Sequence, residues 1–132
     1  MKPRDKIRDE FVRQWSLKAE EDFNAAKSLI TYGQAFLSTV CFHSQQAAEK
    51  YLKAFLTYHQ VEFPKTHDID ELLDLIAPVD NELSESLRDV IVLTNYGVDV
   101  RYPGDFPDVT SRDAQQAIEM AKKVRRLVLE SL

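Results

Sequence analysis

Apolar residues recur at helical spacing along most of the chain, and the segment that organises the rest runs from Phe36 to His59. It contains no Gly or Pro, and a turn of ~100° per residue gathers its apolar side chains on one broad side. That side comprises Leu37, Val40, Cys41, Ser44, Ala47, Ala48, Tyr51, Leu52, Phe55 and Tyr58. The pattern predicts a long amphipathic helix against which the other segments pack.

The opposite arc of this helix is polar but mixed in composition. Its side chains are His43, Gln46, Glu49, Lys50 and Lys53, with Ala35, Phe42 and Leu56 among them. A solvated surface is the ordinary interpretation of such an arc. The mixture of apolar groups with amides, a carboxylate and lysines also fits a face that contacts a ligand or a second protein.

The same periodicity predicts four more helices. They run from about Asp5 to Thr31, around Ile69 to Ile76, from Asn81 to Asn95, and onward from a capping box of Thr110 and Asp113. The helix at Ile69 can be capped by Thr66 or by Asp68, which has the spacing of a capping box with Glu71. The first should end at Gly33, and the short link that follows predicts an antiparallel hairpin with the central helix. We expect Phe11 to belong to the buried stripe of the first helix and Leu132 to that of the last.

Composition places these helices in one domain of ordinary size. The chain has 132 residues, of which 44% are hydrophobic and 30% charged, with only 3 Gly and 5 Pro. Domains commonly contain roughly 100–150 residues. We therefore expect a single all-α domain over residues 1–132, a helical bundle of about five helices.

Charge and cysteine content narrow the classes of function. The net charge is −5, which argues against a general duplex-binding surface without excluding a local basic pocket. The single cysteine, Cys41, cannot form an intrachain disulfide and fits a reducing compartment. The charged N-terminal stretch lacks a signal-peptide pattern, and no apolar run approaches the ~20 residues of a membrane span. We expect a cytoplasmic protein with no membrane contact.

Three polar residues outside the central helix are candidates for a site. Asp22 falls on the apolar side of the first helix, where it must reach water at the margin or pair with a cation such as Lys50 or Arg101. Arg101 precedes a Tyr-Pro-Gly turn, and its planar guanidinium suits phosphate, or internally Asp22 or Glu49. His67 stands just before a helix start, where its ring could donate to a backbone carbonyl or contact a ligand.

The sequence shows no sign of metal or nucleophilic chemistry. The three histidines, His43, His59 and His67, are separated by sixteen and eight residues and have no cysteine pair beside them. No Gly-x-Ser-x-Gly motif or glycine-rich phosphate loop is present, and Cys41 lies on the packed side. We expect neither a metal nor another cofactor.

Four short motifs, in their order and spacing, resemble those of a HEPN domain (higher eukaryotes and prokaryotes nucleotide-binding). They are Trp15 with Ala19 and Asp22, the run Gln45-Gln46-Ala47-Ala48-Glu49-Lys50 with Leu52-Lys53-Ala54, then Thr66-His67-Asp68-Ile69, and finally Arg101-Tyr102-Pro103. The resemblance covers roughly residues 11 to 130. It implies an up-and-down, four-helix-bundle-like domain with a short additional helix, usually homodimeric. The family is associated with nucleotide binding, with minimal nucleotidyltransferase partners and with toxin–antitoxin pairs.

A large branch of that family consists of metal-independent ribonucleases, which use an Arg and a His four to six residues later. After Arg101, positions 105–108 are Asp, Phe, Pro and Asp, so this histidine is missing. Catalysis of that kind would need Arg101 and His67 to meet in the fold. The resemblance therefore leaves enzymatic activity open.

Three hypotheses follow. The first is a homodimeric module that binds a nucleotide, an RNA phosphate or a minimal nucleotidyltransferase through Gln46, Glu49, Lys50, Lys53, His67 and Arg101. The second is a metal-independent endoribonuclease toxin with Arg101 and His67 as catalytic candidates. The third is a structural dimerisation module whose seam takes its apolar area from Phe42 and Leu56.

Overall fold

A computed structural model of the chain describes residues 2–97 and 108–132, and these two ranges contain helices and no strand. The α-helices are α1 (Pro3–Leu29), α2 (Leu37–Tyr58), α3 (Ile69–Ile76), α4 (Asn81–Ser86) and α5 (Ser111–Glu130). Two 3-10 helices span Ile30–Phe36 and Arg88–Tyr96. The predicted all-α bundle of about five helices is confirmed. No helix within the described ranges has the length and apolarity needed to cross a membrane.

The helical hairpin of α1 and α2 forms the frame of the fold. Gly33 lies between the two helices with φ +69° and ψ −126°, a backbone conformation that glycine adopts far more readily than other residues. α2 is predicted to within one residue at each end. It packs most extensively on α1, next on α5, and also contacts α3 and the second 3-10 helix.

The core is built around α2. Its fully buried side chains include Val40, Cys41, Tyr51, Leu52, Phe55 and Leu56, which pack with Phe23 of α1, Leu72 and Leu73 of α3, and Val124 and Val128 of α5. The exposed position predicted for Leu56 is therefore wrong, since its side chain is 0% exposed. It offers no surface to a second copy of the chain.

Two helix starts carry the predicted caps, at Asp68 and Thr110, although Asp68 binds the backbone of Asp70 and not that of Glu71. Asp68 caps α3 by accepting a hydrogen bond from the backbone N–H of Asp70 at 3.0 Å. At the start of α5, Thr110 and Asp113 form both hydrogen bonds of a capping box, at 3.0 and 3.1 Å. Each cap satisfies backbone donors that the first turn of a helix leaves without a partner.

The continuous helix predicted from Asn81 to Asn95 is wrong. The α-helix ends at Ser86, Leu87 adopts φ −107° and ψ 6°, and the chain continues as a 3-10 helix. The Ser86 hydroxyl competes with the helical hydrogen bonds of this segment by donating to the carbonyl of Glu82 at 2.8 Å. The Ser84 hydroxyl donates instead to the carbonyl of Leu73 in α3, also at 2.8 Å. Leu83 and Val90 remain buried on either side of the break.

Two residues that were predicted to be buried, Phe11 and Leu132, are exposed. Phe11 is 52% exposed because, at ~100° per residue, it lies about 80° around α1 from the buried Ala19. Leu132 is 38% exposed because α5 ends at Glu130. Both side chains therefore lie outside the core.

A polar contact ties α1, α2 and α5 together. The Glu20 carboxylate accepts hydrogen bonds from the Tyr51 hydroxyl and from Nε of Arg125, each at 2.5 Å. Burial alone would raise the pKa of Glu20, but the hydrogen bonds from Arg125 and Tyr51 outweigh it and lower that pKa. Burial, reinforced by the bond to Glu20, raises the pKa of the Tyr51 phenol. The carboxylate is thus held in its ionised form between three helices.

Candidate functional site

The polar arc of α2 carries two separate groups of paired side chains. We name the first the Glu49 cluster, which consists of Gln45, Gln46, Glu49, Lys53 and His67. We name the second the Asp22 cluster, which consists of Asp22, His43 and Lys50. Both join α2 to a neighbouring segment.

Glu49 is the centre of the first cluster, although it is almost fully buried at 2% exposure. One carboxylate oxygen accepts a hydrogen bond from Nζ of Lys53 at 2.7 Å, and the other accepts one from Nε2 of Gln45 at 3.0 Å. Nδ1 of His67 lies 2.9 Å from the first oxygen. The prediction that this arc of α2 faces solvent is therefore wrong for Glu49 and Lys53, which other parts of the fold cover.

His67 reaches this cluster from the segment just before α3. Its backbone carbonyl accepts a hydrogen bond from Nε2 of Gln45 at 3.2 Å, which fixes the segment against α2. Because an ionised carboxylate only accepts hydrogen bonds, we assign a proton to Nδ1 of His67. The side chain is nevertheless 71% exposed. His67 is thus held at one ring nitrogen, and among the residues that the structure describes none binds the other, Nε2.

Lys53 has aromatic neighbours as well as the Glu49 carboxylate. Its Nζ lies 5.4 Å from the ring centroid of Trp15 and 5.9 Å from that of Phe63. Those two rings pack at a centroid distance of 6.1 Å and an angle of 60°. Cation–π attraction and the ion pair together offset the burial of the ammonium group. Lys53 is therefore not available to a ligand phosphate.

Gly97 lies against the same cluster. A Cβ atom at this position would lie 3.0 Å from the Gln45 side chain, so a larger residue here would have to push Gln45 aside by a few tenths of an ångström. Gln45 also accepts a hydrogen bond from Nε2 of Gln46 at 2.9 Å. Arg101 comes four positions after Gly97 in the sequence and lies outside the described residues.

The Asp22 cluster pairs α1 with α2. Lys50 Nζ lies 2.5 Å from one oxygen of Asp22, and His43 Nδ1 lies 2.8 Å from the other. The Asp22 side chain is 12% exposed. Of the alternatives left open by the sequence, the structure gives Asp22 the pairing with Lys50. An open groove of about 310 Å³ lies beside the cluster and is also lined by Lys18, Glu21 and Ala25.

The structure divides the predicted site residues among different places. Gln46, Glu49, Lys53 and His67 come together, Lys50 joins Asp22 instead, Phe42 is half-buried beside His43, and Leu56 is in the core. Sequence reasoning did not assign Gln45 or His43 to the site. The spacing of four residues between Gln45 and Glu49 on one helix was a usable signal for the former. No signal links His43 to Asp22, which is 21 positions away.

The clusters satisfy their own polar groups. Within residues 2–97 and 108–132, every buried side-chain nitrogen and oxygen has a hydrogen-bond partner. In the same ranges no three His, Cys, Asp or Glu side chains are grouped in a way that could hold a metal ion. Of the Glu49 cluster, the part best placed to meet a ligand is the exposed ring of His67.

These features define a small all-α domain organised around one polar helix. The model of the HEPN domain family matches residues 12–132, and the chain belongs to that family. The fold is similar to the crystal structure of TT1696 from Thermus thermophilus, with 28% identity and a TM-score of 0.73 over 92% of this chain and 98% of that one. It is also similar to ST0689, an archaeal HEPN homologue, with 25% identity and a TM-score of 0.70 over 91% and 96% of the two chains. No curated protein matches the sequence.

Proposed function

We propose that this protein is a nucleotide- or RNA-phosphate-binding HEPN module and that His67 contacts the phosphate. The observation that carries the proposal is the position of His67, which is 71% exposed while its Nδ1 is held 2.9 Å from Glu49. A histidine ring fixed at one nitrogen presents the other in a defined direction, which lowers the entropy lost on binding. When protonated, the ring donates a hydrogen bond from Nε2 to a phosphate oxygen.

The remaining predicted ligand residues divide into two roles in this proposal. Glu49 and Lys53 are buried and act by positioning His67, and Gln46 acts in the same way through Gln45. Arg101 is assigned to the phosphate on sequence grounds, as a guanidinium suited to bidentate contact. Local cations of this kind are needed because the net charge of the chain is −5.

Replacing His67 with Ala is expected to weaken binding of ATP, GTP or a short RNA by roughly tenfold or more, because a hydrogen bond to a charged group contributes about 1.5–3 kcal/mol. Calorimetric titration measures the affinity, and NMR of the imidazole locates the contact. His59→Ala is the matched control, since His59 is also exposed but packs on Phe55 and Tyr58, outside the Glu49 cluster. Equal affinity in the wild type and His67→Ala, or no binding at millimolar ligand, would contradict the proposal.

We also propose that the protein is a homodimer in which Phe42 lies at the seam. Phe42 is half-buried, and its ring packs edge-on against His43, a member of the Asp22 cluster, at 5.5 Å. A two-fold seam uses the same patch on both copies, so one substitution acts twice. Phe42→Glu is expected to give a monomer by analytical ultracentrifugation. The control is Val79→Glu, at a side chain 41% exposed between α3 and α4; a Phe42→Glu dimer would place the seam elsewhere.

A minimal nucleotidyltransferase, in a toxin–antitoxin pair, is the protein partner we propose. The support for this partner is membership of the HEPN family over residues 12–132. An adjacent gene for a small nucleotidyltransferase would be the most direct observation in its favour. Such a partner would not require His67, so loss of nucleotide binding would leave this part of the proposal standing.

A second candidate function, metal-independent RNA cleavage, is favoured by the pairing of His67 with Glu49. A histidine oriented by a carboxylate is a common general base, and Nε2 could accept the proton of a ribose 2′-hydroxyl while Arg101 neutralises the phosphate. This function predicts cleavage of RNA in the presence of EDTA, abolished in His67→Ala and in Arg101→Ala. RNA that stays intact during long incubation with excess wild-type protein would rule it out.

A further inference from the structure

A small pocket on α1 lies beside the Glu49 cluster and has no part in the function described so far. Its volume is about 180 Å³, and it is lined by Phe11, Gln14, Trp15 and Lys18. Phe11 and Trp15 are four residues apart, so their rings lie on the same side of the helix. Phe11 is 52% exposed and Trp15 is partly exposed. The pocket is therefore open to solvent beside Phe11, while the Trp15 ring also packs against Lys53 and Phe63.

Trp15 connects this pocket to His67 through contacts that are all short. The Trp15 ring centroid lies 5.4 Å from Nζ of Lys53, and that ammonium lies 2.7 Å from the Glu49 carboxylate. The same carboxylate oxygen lies 2.9 Å from Nδ1 of His67. The aromatic pocket and the exposed imidazole are thus linked by one ion pair, Lys53 with Glu49, which is itself buried.

We propose that the Phe11–Trp15 pocket holds the base of the nucleotide whose phosphate contacts His67, an inference that rests on the proposed function. Every nucleobase has a flat π face that stacks on aromatic side chains. Gln14 supplies an amide donor and acceptor at the rim, and Lys18 supplies an ammonium group, so the edge of a base or a ribose hydroxyl finds partners there. The volume is below the roughly 300 Å³ of a typical drug-sized pocket and suits one flat ring system.

Trp15 provides a reporter at this pocket, because it is the only tryptophan in the chain. AMP is expected to quench its fluorescence with a saturable dependence on concentration. Ribose 5-phosphate, which has the phosphate and no base, is expected to shift the His67 imidazole resonances without quenching Trp15. Free tryptophan titrated in parallel corrects for the absorbance of AMP.

Phe11→Ala removes one wall of the pocket and leaves the core intact. This variant is expected to bind AMP about tenfold more weakly, in the range found when a stacking residue is truncated, with unchanged affinity for ribose 5-phosphate. Leu17→Ala is the matched control: Leu17 is 54% exposed on the same helix and does not line the pocket. It is expected to leave both affinities unchanged.

The outcomes separate this proposal from the one on which it rests. Equal affinity for AMP and ribose 5-phosphate, with shifts at His67 and no quenching of Trp15, would overturn the base pocket and leave the phosphate contact standing. Saturable quenching by AMP with no shift at His67 would support the base pocket and contradict the phosphate contact. If Phe11→Ala dissociates a dimer and leaves AMP affinity unchanged, the pocket is a contact between two copies and the base assignment is wrong.

Discussion

Glu49→Ala is expected to lower the free energy of unfolding by about 3–5 kcal/mol, the cost of removing one partner of a buried ion pair. Lys53 would remain, only 6% exposed, with its ammonium charge lacking the carboxylate that now lies 2.7 Å away. Nε2 of Gln45 would lose an acceptor in the same region. Urea denaturation followed by circular dichroism measures the change.

Two comparisons make this prediction specific. Glu10→Ala removes a carboxylate that lies 2.6 Å from Arg13 but on an exposed surface, and it should leave stability nearly unchanged. The double variant Glu49→Gln with Lys53→Met removes both charges. Its loss of unfolding free energy should therefore be smaller than the sum of the losses in Glu49→Gln alone and Lys53→Met alone. A Glu49→Ala protein as stable as Glu10→Ala would show that water reaches the pair and solvates both charges.

Leu56→Ala is expected to destabilise the fold by about 2–5 kcal/mol, since it empties a fully buried position. The same variant should leave the association state unchanged, because Leu56 lies in the core of one chain. Thermal unfolding and sedimentation measure the two properties separately. Leu17→Ala, at a side chain 54% exposed, should change neither. If Leu56→Ala dissociated a dimer without loss of stability, Leu56 would lie at the seam between two copies and not in the core.

The contrast between Phe55 and Leu56 shows where helical periodicity was sufficient and where it was not. The buried side of α2 followed from spacing alone, and so did Phe55, which is 1% exposed. Leu56 was assigned to the opposite arc on the assumption that α2 has one covered side. α1, α3, α5 and the second 3-10 helix all contact α2, so part of the polar arc is covered as well. A single sequence does not reveal how many neighbours a helix will have.

The sequence identified most residues of the candidate site, but it predicted few of the contacts between them. The caps at Asp68 and Thr110 are local, so short-range spacing identified them. The contact between Glu49 and His67 spans 18 positions and depends on how the segment before α3 returns to α2. The pairing of Asp22 with Lys50 was one of the open alternatives, because a carboxylate on an apolar side needs a cation or water. Resemblance to a family indicated which polar residues mattered, and the fold determined which of them meet.

The burial of Cys41 gives the molecule a built-in reporter of its own opening. The thiol is 0% exposed within α2, and it is the only one in the chain. A thiolate must reach solvent before it reacts, so a reagent added to the native protein labels Cys41 only when the surrounding helices separate. Labelling rates would therefore measure how often the helices around Cys41 separate, and whether a bound nucleotide slows that opening.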